Sequence, residues 1–197
     1  MIDISNEALT FVKDFFKKDY SGHDYYHTFR VYKTSMKISD KEDCDVNKVK
    51  IIALLHDVDD HKISPKTCEN LDNARTFLKS NNIDENIINS ICSDIKNISF
   101  SKGGSPSSLS IEAKIVQDAD RLDAIGAIGI ARTFAFGGAN NRPIYDIENK
   151  ENSTIQHFYD KLLRLEDLMN TEYAKNLAKE RTEFLKTFLD QFYKELL

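Results

Sequence analysis

A nearly apolar stretch from Val49 to Leu55 constrains this chain most, because the ionisable pair His56-Asp57 follows it at once. The pattern predicts a helix from about Val46 through Asp57 that is apolar on nearly all its faces, which is typical of a helix at the centre of a core. Histidine and aspartate are seldom buried without a partner. Metal binding is a good reason for such a pair, so we expect a metal site at the end of a central helix.

Long helices joined by few turns are expected, because the 197 residues include only seven Gly and three Pro, and 41% are hydrophobic. The length suits one well-cored domain. We therefore predict an all-α, single-domain helical bundle over residues 1–197. The core that carries the metal site would span about 22–135, and a C-terminal helical scaffold about 154–197.

Helical periodicity predicts the individual segments. They are Ala8 to Lys18, Tyr25 to Ser39, Val46 to Asp57, Asn70 to Ser80, Glu85 to Asn97, one long helix from Ile111 to Phe136, and two amphipathic helices between Thr154 and Leu197. Irregular, glycine-containing loops are predicted at 99–110 and 137–143. Loops of this kind are often functional, and these two could help to close a pocket.

Charge and cysteine content exclude several classes of protein. The net charge is −5, with Lys mixed among Asp and Glu, which argues against an extended nucleic-acid-binding surface but allows a small basic pocket for phosphate. The three cysteines are widely spaced, so neither a disulfide framework nor a zinc-thiolate site is indicated. The sequence shows neither a signal-peptide pattern nor a membrane-length apolar run. We expect a cytoplasmic protein without a membrane partner.

Histidines cluster in the first third of the chain, which contains His23, His27, His56 and His61. His27 lies on the inward stripe of its predicted helix, where a lone histidine is more often a hydrogen-bonded core residue than a ligand. Together with His56-Asp57 it forms a nitrogen and oxygen donor set suited to divalent Mn, Fe, Co, Ni or Zn.

A second carboxylate would complete this donor set. The candidates lie on the predicted helix from 111 to 136 and are Asp118, Asp120 and Asp123. They cannot all face the same way, and helical periodicity alone favours Asp118.

The motifs His27, His56-Asp57 and Ala119-Asp120-Arg121-Leu122 resemble the H…HD…D pattern of the HD-domain superfamily of metal-dependent phosphohydrolases. An HD dipeptide alone is a weak signal, but three ordered motifs on predicted helices are specific. The resemblance covers almost the whole chain and is to a small stand-alone bacterial branch similar to nucleotide pyrophosphohydrolases. It implies an HD-domain helical bundle in which His27, His56, Asp57 and Asp120 bind one divalent metal ion, with Mg also a candidate.

Asp60 follows His56 by four residues and would lie one turn beyond the metal if the helix continued. There it could hold or deprotonate the nucleophilic water, and the resemblance supports this role because related HD hydrolases carry an acidic residue at this offset. A turn carboxylate is the alternative. The run from Asp57 to Asp60 also repels itself, which argues for a nearby cation.

Other candidates flank the motifs. His23 could donate a proton to the leaving group, or it could be an ordinary histidine of the N-terminal turn. The nearest basic groups, Lys62, Arg30 and Arg121, are candidates for binding substrate phosphate. Arg121 could instead pair with Asp118 or Asp123. His61 would lie off the ligand face, so no second metal is predicted.

The resemblance implies a phosphohydrolase that uses a metal-activated water on a small phosphate ester, in particular a nucleotide. The most specific expectation is conversion of a nucleoside triphosphate to a monophosphate and pyrophosphate. A nucleoside monophosphate phosphatase of the 5'-nucleotidase type is the nearest alternative, followed by a guanosine tetraphosphate-type hydrolase. A non-catalytic HD binding module is the alternative from another class.

Overall fold

The computed structural model describes residues 3–17, 24–98 and 109–196, and these residues form helices, turns and irregular segments without a strand. The helices, α1 to α9, are Ser5–Phe15, Tyr25–Ser39, Val46–Leu55, Asp72–Ser80, Glu85–Ile98, Ile111–Asp123, Gly126–Ala139, Gln156–Asp160 and Glu172–Glu195. Short 3-10 turns occupy Lys150–Asn152, Leu162–Arg164 and Glu166–Leu168. The predicted all-α class is confirmed.

The chain forms two compact units, Met1–Ala119 and Asp120–Leu197. In the first unit, α3 packs against α1, α2 and α5. Every side chain from Ile51 to Leu55 is 0% exposed, which confirms the predicted central helix. Since burial of one large aliphatic side chain contributes about 1.5–3 kcal/mol, α3 is a major source of stability for this unit.

Aspartates cap the two helices that lead to the predicted metal ligands. Asp24 accepts a hydrogen bond from the backbone N–H of His27 at 2.8 Å and so begins α2. Asp45 accepts from the N–H groups of Asn47 at 3.0 Å and Lys48 at 3.1 Å and begins α3. Aspartate is favoured at both positions because its side chain satisfies N–H groups that lack a partner within the helix.

Helix α3 ends at Leu55, with His56 as its C-cap, so the prediction that it continues through Asp57 is wrong. The chain turns instead, and the N–H of Asp60 donates to the carbonyl of Asp57 at 3.0 Å. Asp60 therefore does not lie on a continuation of α3. The reason is tertiary, because the turn brings Asp59 to the start of α4, where its carboxylate binds two backbone N–H groups.

The predicted long helix from Ile111 to Phe136 is wrong, because two helices occupy this segment. Gly126 has a φ of 73°, a left-handed value that favours glycine, and it interrupts the helical path between α6 and α7. Helix α7 then continues to Ala139, so the irregular segment predicted at 137–143 begins later. Of the loop predicted at 99–110, only residues 109 and 110 lie within the described residues.

In the second unit, α9 packs against α7. The ring of Phe188 lies 5.9 Å from that of Phe134 and 5.7 Å from that of Phe158, between ring centres. The second predicted C-terminal helix is present as α9, whereas the first is divided into α8 and short 3-10 turns. Within the described ranges, none of the helices alone is long and apolar enough to cross a membrane, although α6 and α7 have sufficient length and apolar composition when taken together as a bent pair.

Two glycines of α7 offer a matched test of the packing in the second unit. A Cβ added at Gly129 would lie 2.3 Å from the carbonyl oxygen of Ala124, whereas one added at Gly138 would meet nothing within 4 Å. We expect Gly129→Ala to lower the free energy of unfolding by about 1–3 kcal/mol, because the backbone must shift. Gly138→Ala should raise it by about 0.5–1 kcal/mol, since alanine is the better helix former. Urea denaturation measures both, and equal stability of the two variants would contradict this packing.

Candidate metal centre

Three of the predicted ligands come together in the first unit. The Nε2 atoms of His27 and His56 lie 3.2 Å and 3.3 Å from the same oxygen of Asp57, Oδ2. One ligand atom from each of the three residues lies within 4.8 Å of the other two. Both histidines are buried, which confirms that His27 faces inward. This group is called the His-His-Asp cluster below.

The packing of α2 against α3 explains how the cluster forms. His27 lies in the first turn of α2, directly after the Asp24 cap. His56 lies at the end of α3. The two rings are 5.4 Å apart between centres, at an angle of 63°. A helix start and a helix end thus bring two histidines together, and the turn after α3 adds the carboxylate.

A backbone contact determines the role of each ring nitrogen of His56. Its Nδ1 lies 2.9 Å from the carbonyl oxygen of Ala53, within the buried last turn of α3. A carbonyl oxygen can only accept, so Nδ1 carries a proton, and Nε2, which lies 3.3 Å from Asp57 Oδ2, is the ring nitrogen that can bind a metal. Metal-binding histidines characteristically donate their other N–H in this way.

The Asp57 carboxylate suits a cation better than a hydrogen-bond network. Its Oδ2 is buried and accepts no hydrogen bond of normal geometry from the described residues, although two ring nitrogens lie close to it. Burial by itself raises the pKa of Asp57, but the neighbouring His56 and His27 outweigh burial and hold this pKa well below its usual value. The carboxylate is therefore ionised at neutral pH, as a metal ligand must be.

The donor set therefore fits a divalent metal. Two imidazole nitrogens and a carboxylate oxygen are the ligands that Mn, Fe, Co, Ni and Zn share. Three protein ligands leave coordination positions open, which is the condition for a catalytic metal site.

The aspartates that follow His56 contact different partners. Asp59 is buried and binds the N–H groups of Asn73 at 3.1 Å and Ala74 at 2.9 Å. Asp60 is half-buried, and its Oδ1 accepts from the N–H of Lys62 at 2.9 Å. Of these aspartates, only Asp57 belongs to the cluster. The N–H groups at the start of α4 offset the charge of Asp59, which reduces the expected repulsion within the run. This role of Asp59 is not evident from the sequence, since only the fold brings α4 to it.

Helix α6 carries the other predicted acidic residues. Asp118 is 0% exposed, whereas Asp120 is partly exposed and belongs to the second unit. Arg121 donates to the carbonyl of Leu168, and Asp123 forms an ion pair with Arg132 at 2.8 Å. Asp120 is not among the three residues of the cluster, so its role as the fourth ligand stays a prediction.

The remaining candidates lie on α2 or near the turn after α3. Arg30 is partly buried on α2, one helical turn after His27. Lys62 is exposed. His61 is also exposed and lies outside the cluster. His23 lies outside the described residues.

The cluster can be tested by metal binding alone. We expect His56→Ala and Asp57→Ala to weaken Mn²⁺ binding by at least about a hundredfold, because loss of a direct ligand should exceed the 10–100-fold loss typical of outer partners. His61→Ala is the matched control, since its side chain is 73% exposed. Calorimetric titration of chelator-stripped protein gives the affinities. Unchanged affinity in both cluster variants would exclude this site.

Comparison with known proteins identifies the family. Residues 24–125 match the HD domain, a range that contains every predicted metal ligand. The chain is 39% identical over 194 residues to YpgQ of Bacillus subtilis, covering 98% of this chain and 93% of YpgQ.

Two crystal structures share the fold. That of Bacillus subtilis YpgQ in complex with ADP has a TM-score of 0.80 and 36% identity, over 97% of each chain. That of an HD-superfamily hydrolase from Bacillus thuringiensis has a TM-score of 0.77 and 40% identity, over 98% of this chain and 96% of the other. HD domains bind divalent metals, in agreement with the donor set described above. The chain thus belongs to the HD-domain family and is an HD-superfamily hydrolase.

Proposed function

We propose that this HD-domain hydrolase acts on nucleotides and, most specifically, converts a nucleoside triphosphate to a monophosphate and pyrophosphate. The observation that carries the proposal is the convergence of His27, His56 and Asp57. It lies in a chain related over nearly its full length to YpgQ, whose crystal structure contains ADP.

The proposed ligand set is His27, His56, Asp57 and Asp120, the last on the strength of the Ala-Asp-Arg-Leu motif. A divalent metal held by these residues would lower the pKa of a bound water and offset charge on phosphoryl oxygens. The residues of the set have to supply deprotonated ligand atoms in a stable arrangement. The bond from His56 Nδ1 to the carbonyl of Ala53 and the ionised state of Asp57 both support this role.

Asp60 is the proposed residue that orients the attacking water and accepts its proton. The carboxylate is half-buried in the turn that follows Asp57. Its hydrogen bond from the N–H of Lys62 limits how far it can rotate. A carboxylate held in this way can act as a general base when the water lies within hydrogen-bond distance.

The charge of a triphosphate calls for basic partners. Arg30, Lys62 and Arg121 are the proposed phosphate-binding side chains. Guanidinium groups suit this role because they can donate two parallel hydrogen bonds to phosphate oxygens. His23 is proposed to protonate the leaving group.

The ligand of YpgQ favours pyrophosphate release over monophosphate hydrolysis. ADP carries two phosphates, so the YpgQ complex is evidence that the relative accommodates a chain of phosphates. A site of the same kind in this chain would suit a triphosphate cleaved between its first and second phosphates. A phosphatase specific for monophosphates would need a shorter pocket.

A nucleotide panel tests the reaction. We expect the chelator-stripped chain, resupplied with Mn²⁺, Co²⁺, Ni²⁺ or Mg²⁺, to release pyrophosphate from nucleoside triphosphates with little orthophosphate. Separate assays for the two products, with monophosphates in parallel, distinguish the alternatives. Orthophosphate from monophosphates alone would favour the phosphatase, and lack of product with every metal would refute the proposal.

The choice between two aspartates tests the fourth ligand. We expect Asp120→Asn to weaken Mn²⁺ binding by about a hundredfold and to abolish hydrolysis, because it removes a ligand charge. Asp118→Asn should leave Mn²⁺ affinity within about twofold of wild type, even if burial of Asp118 makes that variant less stable. Calorimetric titration gives the affinities, and circular dichroism checks the fold. The reverse result would assign the fourth ligand to Asp118.

A further inference from the structure

Asp59 is a buried carboxylate, two residues after Asp57, that the proposed reaction does not use. It is 4% exposed, and its two oxygens accept hydrogen bonds from the N–H groups of Asn73 at 3.1 Å and Ala74 at 2.9 Å. These groups belong to the first turn of α4, whose own N-cap residue, Leu71, makes no side-chain cap. The carboxylate therefore acts as the missing cap from another part of the chain.

The side chain of Asn73, in the first turn of α4, binds back to the segment that follows Asp57. Its side-chain amide donates to the carbonyl of Val58 at 3.0 Å and to the hydroxyl of Thr67 at 3.0 Å. Val58, which is 0% exposed, directly follows Asp57. Asn73 thus binds the carbonyl of one residue and the carboxylate of the next. These contacts are called the Asp59–Asn73 bridge.

The backbone that leads into α4 is strained in a way that suits the bridge. Leu71 has φ 58° and ψ 49°, left-handed values, and is buried. Such a conformation is unfavourable for a branched, bulky residue, and it persists only where the surroundings enforce it. Here the left-handed residue, Leu71, directly precedes the first turn of α4, which presents two N–H groups to Asp59.

We propose that the Asp59–Asn73 bridge holds Asp57 in its ligand position, so that Asp59 and Asn73 are positioning residues of the metal site. On one side of Asp57, the bond between His56 and Ala53 holds the end of α3. On the other side of Asp57, the chain enters a turn. The bridge binds the first two residues of this turn, Val58 and Asp59. This inference rests on the metal site of the proposed function and deepens it.

Metal affinity separates this role from simple helix capping. Asp45 provides the matched control, because it caps α3, the helix that carries His56, through two backbone N–H groups at the end remote from the cluster. D45A and D59A both remove an aspartate that caps a helix. Only D59A also removes bonds that tie the segment after Asp57 to α4.

The experiment titrates Mn²⁺ into chelator-stripped wild type, D59A, D59N, N73A and D45A, and records thermal unfolding of the metal-free proteins. We expect D59A to weaken Mn²⁺ binding by about tenfold or more. D59N, which keeps one acceptor, should fall between D59A and wild type. N73A should weaken binding in the same direction. D45A should lower the unfolding temperature but change affinity by less than about twofold.

Three outcomes overturn the bridge as a positioning device. They are wild-type affinity in D59A, wild-type affinity in N73A, and an equal loss of affinity in D45A. If D59A does not fold, N73A decides, because it retains the backbone bonds to Asp59. Wild type that binds Mn²⁺ without releasing product from any nucleotide would refute the proposed reaction, while the affinities would still decide the role of the bridge.

Discussion

Burial of α3 is the constraint on which the candidate site depends. Because the helix is apolar on nearly all sides, it packs against α1, α2 and α5. Its last turn supplies the carbonyl of Ala53, which accepts a hydrogen bond from Nδ1 of His56, and Nε2 of the same ring lies beside Asp57. Hydrophobic packing thus determines the chemistry at the end of the helix. An imidazole on a loosely held segment would lose affinity to side-chain entropy when it bound a metal.

The three carboxylates after His56 show how one short segment can serve several purposes. Asp57 lies against two histidines, Asp59 caps α4, and Asp60 accepts a bond from the following backbone. Each negative charge therefore has donors or positive partial charge beside it, including the N-terminal end of a helix. This arrangement keeps an acidic, largely buried turn folded. It also places the half-buried carboxylate of Asp60 in the turn that follows Asp57.

Much of the fold could be predicted, and the errors have physical causes. The bounds of α2 agree with the prediction, and the central position of α3 follows from its composition. The break between α6 and α7 was missed because a single glycine within an apolar pattern does not reveal a φ of 73°. The end of α3 was missed for a different reason, since Asp57 is compatible with a helix. What turns the chain is the set of distant N–H groups that Asp59 binds.

By itself, the sequence determined the all-α class, the central apolar helix and the family, because periodicity and ordered motifs are local properties of the chain. It also selected His27, His56 and Asp57 as a group, which the structure brings together. Only the tertiary structure decided the pairing of Asp59 with the start of α4 and the contact of Asn73 with Val58. These depend on contacts between segments that are distant in sequence, and such contacts leave no pattern in the order of the residues.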